Sequence, residues 1–304
     1  MPVPRVAMPA VALALLVSAG VATPRSAAPG RESPGRPPQA EVTRDALVAA
    51  ATAYVTAYRR DFAFLVADET YLQSRMVPST RTSDHRTMRG EMFLTYLEAD
   101  GEWIAVHDVA EVDGTPVADR ENLRDLLSKG AELRGLVGRV ANRNARFNIG
   151  GVTRNFNEPT LPLLLFEAKR VHGVAFDLDR DSIATDASGA TVATLTFRER
   201  DDGATLVRGP QGRIRSRGEV TIEAGTGRVR RTVLTLEQGP VTAELTTAYA
   251  HDENVDLWVP VYFTERYTNT SGRDETVTCS ARYTNYRRFS VSGRIKGDGG
   301  TGNR

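Results

Sequence analysis

The chain has 304 residues, a formal net charge of +1 from 39 basic and 38 acidic side chains, and one cysteine. A balance so close to neutral, with no recognised binding motif, argues against a nucleic-acid partner. A single cysteine, Cys279, excludes an internal disulfide and any multi-cysteine zinc site, and as a small apolar residue it is expected to point into the core.

The first residues read as an export signal. Arg5 precedes an apolar run from Val6 to Val17, and small residues from Ser18 to Ala22 follow. These are the positive, apolar and small-residue regions of a secretory signal peptide, expected at 1–22. The run is shorter than the roughly 20 apolar residues of a membrane span and contains Pro9. No transmembrane segment is expected after cleavage, and the product should be periplasmic or secreted. Residues 23–41 are rich in Pro, Arg, Ser, Gly and Ala and cannot bury a core, so a disordered linker is expected there, and 293–304 form a similar tail.

The intervening 42–292 leave about 250 residues, enough for one large domain. Leu47, Ala51, Tyr54, Tyr58, Phe62 and Leu65 recur at helical spacing behind Thr43, a residue able to cap the helix. A strand follows from Leu65 to Met76. Met92, Leu94 and Tyr96 alternate with Phe93, Thr95 and Leu97 in the next, Asp100 and Gly101 turn the chain, and Trp103 to Val112 form a third. From Glu111 to Leu127, a turn at Asp113 and Gly114 leads past Pro116 into a helix. The same order of strand, turn and helix occurs in PDZ domains, but the glycine-rich carboxylate loop of that module is lacking.

A helical insertion is expected at about 115–170. Leu123, Leu126 and Leu127, then Leu133, Leu136, Val137 and Val140, predict two helices broken near Gly130. Phe147 to Asn157 mixes glycine, asparagine and phenylalanine and is irregular, and a short apolar helix follows from Leu161 to Phe166. Such a loop beside a leucine-rich segment either lines a ligand cavity or completes the core as a plug. Beyond Val171 the period becomes two. Ala193, Leu195 and Phe197 share a face, as do Ile214, Val220 and Ile222, then Val241, Ala243, Leu245, Thr247 and Tyr249, then Leu257, Val259, Val261 and Phe263. Val277, Cys279, Ala281, Tyr283, Phe289 and Val291 are assigned to one face of the last strand. Half-buried alternation between short turns means an antiparallel meander.

This order of elements resembles the LolA-like lipoprotein-carrier superfamily. The segments that carry the likeness are Tyr283 to Phe289 in the last strand, the turn Gly225 to Gly227 leading into Val229 to Arg231, and Leu257 to Pro260. The resemblance implies an α+β fold, in which a strongly curved antiparallel sheet forms an open half-barrel, with the N-terminal helix and the insertion over its concave face. It also implies a concave face that holds lipid or lipoprotein acyl chains, without cofactor. The residues expected to line that site are Phe147, Phe156, Leu161, Leu164, Leu165, Phe166, Leu245, Val261 and Phe263.

No catalytic or metal residue is assigned. Gly-x-Ser-x-Gly, His-Glu-x-x-His and P-loop motifs are absent. His107 and Asp108 are neighbours on a strand and so point to opposite faces, and His251 to Glu253 fall in a turn. Three readings stand: a binder of lipid or another apolar ligand, an envelope scaffold or sensor that contacts another protein through a sheet edge or the Tyr- and Arg-rich last strand, and a hydrolase with a dispersed site.

Overall fold

A computed structural model describes residues 41–289 except 63, 98–100, 129–132, 152–157, 202, 204, 210–211 and 272–273. The expected signal, most of the linker, the tail and Val291 lie outside these residues, as does Phe156. The account below concerns the compact unit that begins at Val42.

Helix α1, Arg44–Asp61, starts where Thr43 adopts an extended backbone and its side chain accepts a hydrogen bond from the Ala46 amide at 3.3 Å. Asp45 in its first turn and Arg59 and Arg60 in its last turn have the charge order that a helix dipole favours. Its buried residues are Leu47, Ala51, Val55 and Tyr58. Three strands follow, β1 (Leu65–Val77), β2 (Thr82–Leu97) and β3 (Glu102–Val112). Asp113 and Gly114, both at positive φ, turn β3 into the two-residue β4, Thr115–Pro116. The turn-into-helix reading of this stretch therefore holds. Helices α2 (Leu123–Ser128) and α3 (Leu133–Asn144) come next, then 3-10 segments at Ala145–Phe147, Leu161–Phe166 and Val171–Gly173. The remaining strands are β5 (Val174–Thr185), β6 (Thr191–Glu199), β7 (Val207–Gly209), β8 (Gly212–Glu223), β9 (Val229–Gln238), β10 (Val241–Asp252), β11 (Leu257–Asn269) and β12 (Glu275–Arg288).

The strands form a twelve-stranded antiparallel sheet in the order β4-β3-β2-β1-β12-β11-β10-β9-β8-β6-β5, with β7 paired to β8. The sheet does not close, because β4 and β5 are its two ends. It curls strongly. Helix α1 packs against both β2 and β5, which are eight strand steps apart. Flat, those steps would span about 38 Å at ~4.8 Å each. An 18-residue helix is only about 27 Å long and 10–12 Å wide. A half-barrel wrapped around α1 satisfies both facts. The last strand, β12, is not an edge: it pairs with β1 on one side and β11 on the other.

The insertion corrects one expectation. It does not lie wholly over the face that holds α1. Leu123, Leu127, Leu136 and Val140 form a separate cluster with Val66, Phe93 and Val106, whose chain neighbours Leu65, Ala67, Met92 and Leu94 point the other way into the main core. Alternation puts successive side chains on opposite faces, so α2 and α3 cover the outer face of β1–β3 while Leu161–Phe166 joins α1 inside.

The face assigned to β12 also changes after Tyr283. Asn285 takes a positive φ of 54° and the pairing with β1 slips between Val66 and Asp68. The irregularity brings Tyr286 inside, where its hydroxyl donates to the Pro260 carbonyl at 2.5 Å, and sends Phe289 to the outer cluster against Phe93.

The turn between β8 and β9 touches α1 directly. At Gly227, φ is +71° and a Cβ would stand 2.1 Å from the Ala50 carbonyl oxygen, whereas Gly225 at φ +90° faces open space. Gly225→Ala should cost about 1–2 kcal/mol of left-handed strain. Gly227→Ala should cost more by at least ~1 kcal/mol, because the helix must shift as well. Urea unfolding of the two variants separates the terms.

Candidate functional site

The predicted lining residues that the structure describes belong to the packed interior or to its margin, and none of them lines the groove described below. Leu161, Leu164, Leu165, Phe166, Leu245 and Phe263 are buried in the main core, and Val261 is half-buried against it beside the irregular pairing at Ala248 and Tyr249. Phe147 lies apart in role. Its carbonyl accepts from Gln73 Nε2 at 3.1 Å and Arg86 Nη1 at 2.8 Å, and Arg146 stacks over its ring, so it fastens the insertion to β1 and β2.

Leu161–Phe166 is a plug. Pro162 stands at its start, all six residues are buried, and i to i+3 hydrogen bonds such as Leu163 N to Thr160 O hold it. Such bonds have poorer geometry than those of an α-helix, so its ends carry the docking. Before it, the Pro159 carbonyl accepts from Thr247 Oγ1 and the Tyr249 hydroxyl, both at 2.8 Å. After it, Glu167 accepts from the Tyr96 hydroxyl at 2.5 Å and lies 3.4 Å from Arg170. Burial, aided by the Glu167 carboxylate, pushes the Tyr96 phenol up to about 12, which keeps this donor protonated.

A polar row that the sequence reading missed crosses the inner face. His107 Nδ1 on β3 lies 2.7 Å from Glu69 Oε2 on β1, and Gly90 of the intervening β2 is the register partner of Glu69. A Cβ at Gly90 would stand 2.2 Å from the Asp108 carbonyl oxygen, so the glycine admits the close approach of β3 at the irregular pairing between Arg89 and Gly90. Glu265, 1% exposed, accepts from the hydroxyls of Tyr71 and Tyr267. The neighbouring Asp108 points outward, as alternation requires, and binds Arg120 and the Leu123 amide at the start of α2. The expected turn at His251 begins later, since β10 continues to Asp252, and His251 Nε2 lies 3.0 Å from Asp256. Among the described residues no group of three or more His, Cys, Asp or Glu is placed to hold a metal.

A groove of about 720 Å³ lies between α1 and the end strand β5. Val48, Ala49, Ala53, Val171, Val174 and Phe176 supply its apolar lining, and Arg44, Asp45, His172, Asp177 and Arg200 are its charged or titratable members. This volume lies within the ~300–1,000 Å³ of small-molecule sites. Phe176 connects groove and interior: its ring stacks on Phe166 of the plug at 5.3 Å and 22°.

No family model and no curated protein matches the chain. Among solved structures it is similar to a domain named for outer membrane lipoprotein sorting from Vibrio parahaemolyticus, with 12% identity and TM-score 0.35 over 82% of this chain and 94% of that one. The chain resembles LolA superfamily structures. One such protein, from Nitrosomonas europaea, has 10% identity and TM-score 0.31 over 83% of this chain and 96% of its own. A DUF1329 family protein from Desulfovibrio piger has 9% identity and TM-score 0.34 over 81% and 95%.

Glu158, just before the plug, gives a pH prediction. Burial, and then the nearby Glu102, push its carboxyl up to about 8, with His107 acting in the opposite sense. The native state therefore keeps a proton that the unfolded chain loses near 4.5. The associated stability is complete below about 4.5 and is lost as pH rises through about 8. Between about 4.5 and about 8, melting temperatures should fall with pH in the native protein and fall less in Glu158→Gln.

Proposed function

We propose that this chain is an exported, non-enzymatic binding protein for an acyl chain or another apolar ligand, which enters the half-barrel through the groove between α1 and β5. The observation that carries the reading is the contact of Phe176 with Phe166. A ligand lying in the groove would meet Phe176, which backs onto the plug, so groove and core are linked across a pair of stacked rings. The driving force is burial at about 25 cal/mol per Å² of apolar surface, and it needs no acid, base or metal.

Export to the periplasm or beyond the cell rests on Arg5 and the apolar run behind it. Among the described residues no helix is long and apolar enough to cross a membrane. Lipid and lipoprotein acyl chains are the leading ligand classes because Val48, Ala49 and Ala53 of α1 face Val171, Val174 and Phe176 across the groove.

Native mass spectrometry of the exported protein, purified without detergent and followed by solvent extraction, tests the reading. A bound acyl species near one per chain is expected. A bare mass, together with no binding of a fluorescent fatty acid, would defeat it. Ala49 is exposed in the groove wall, so Ala49→Trp should fill the groove, weaken fatty-acid binding about tenfold or more, and leave the melting temperature nearly unchanged.

A further inference from the structure

A second cavity, of about 440 Å³, lies where β6, β8 and β9 meet, and five arginines line it: Arg198, Arg200, Arg213, Arg215 and Arg217. Glu199, Asp201 and Glu237 are its acidic members. Two of the arginines are engaged. Arg217 pairs with Glu237 at 2.5 Å, and Arg213 donates to the carbonyls of Arg200 and Asp201, so it braces the backbone. Glu199 accepts from the Leu206 amide. Arg198, Arg200 and Arg215 form no ion pair with a carboxylate among the described residues, although Arg200 donates to the His172 carbonyl at 3.5 Å and Arg215 stands opposite Glu237, which pairs with Arg217 instead. Arg198 stands directly opposite Arg217 across the β6–β8 ladder. Glu237 neutralises Arg217 of that pair and leaves the charge of Arg198 to be met from outside the ladder.

Arg200 lines this cavity and the apolar groove alike. We propose that the ligand of the groove is an anionic amphiphile, with its chain between α1 and β5 and its phosphate-bearing headgroup held by Arg198, Arg200 and Arg215. Guanidinium groups match phosphate oxygens through paired N–H donors and hold them more selectively than lysine would. The inference rests on the acyl-binding reading and adds to it the charge and chemistry of the headgroup.

The test compares two lipids of equal chain length, lysophosphatidylglycerol and uncharged monoacylglycerol, on the full exported protein. The anionic lipid should bind about tenfold tighter or more, the size of one charge-assisted hydrogen bond. The doubly substituted Arg198→Gln, Arg215→Gln protein should bring that ratio toward one, with circular dichroism confirming that these exposed positions leave the fold intact. Added salt should lower the ratio in the native protein. Equal binding of the two lipids would overturn the headgroup assignment and leave the acyl reading standing. Binding of neither would defeat both. A preference that survives the double substitution would overturn the role of these arginines. Glycerol 3-phosphate binding as tightly as the lysolipid would reassign the cavity to a free phosphate and overturn the lipid source.

Discussion

The pairing of β1 with β12 is the constraint on which the rest of the molecule depends. It joins hairpins made early in the chain to a meander made late, from Leu65 opposite Arg288 to Met76 opposite Thr276. Without it the two halves would each expose an inner apolar face, and neither would surround α1. Such a contact closes a long loop before any local reward is collected, so it forms against a large entropy cost. Inner residues of both strands meet the cost together. Leu65, Ala67 and Tyr71 from one, and Val277, Cys279, Ala281 and Tyr283 from the other, lie in the same core.

That core is not purely apolar, and its polar members are distributed to hold strands in register. Glu69 with His107 spans β1 to β3, and Glu265 with Tyr71 spans β11 to β1 across β12. A buried carboxylate is expensive unless its oxygens are satisfied, and a one-residue slip of β1 would carry Glu69 and Tyr71 to the other face. The hydrogen bonds thus penalise misalignment more than they add to net stability. Pro159 and Glu167 do the same for the plug, which is tied to β10 before it and to β2 after it.

Much of this was legible in the chain. The spacing of Leu47, Ala51 and Tyr58 fixes the inner stripe of α1, and the alternation through Leu245 and Phe263 fixes the inner face of the meander. Periodicity identifies an apolar stripe without saying which apolar surface it meets. For that reason Leu123, Leu127, Leu136 and Val140 read as part of the interior, although they cover the outside of β1–β3. Nor does a period-two pattern announce where it breaks. Asn285 shifts the phase of β12, and only the Tyr283 to Tyr286 spacing of three hinted at it. The Glu69–His107 pair and the two cavities depend on residues distant in sequence whose types are ordinary one by one. The arginines of the second cavity alternate along β6 and β8 as solvent-facing residues do, and their meaning comes from their shared neighbour, Arg200.

The end strand β5 has a consequence of its own. A sheet that stays open keeps a row of backbone donors and acceptors at its margin, the template on which chains add to one another to form fibrils. Here that margin carries Asp177, Asp179, Arg180 and Asp181, and its pairing with β6 breaks between Asp179 and Ala184. An incoming strand would have to bury those charges against a bent partner. Charge and bend together set this open margin against strand addition.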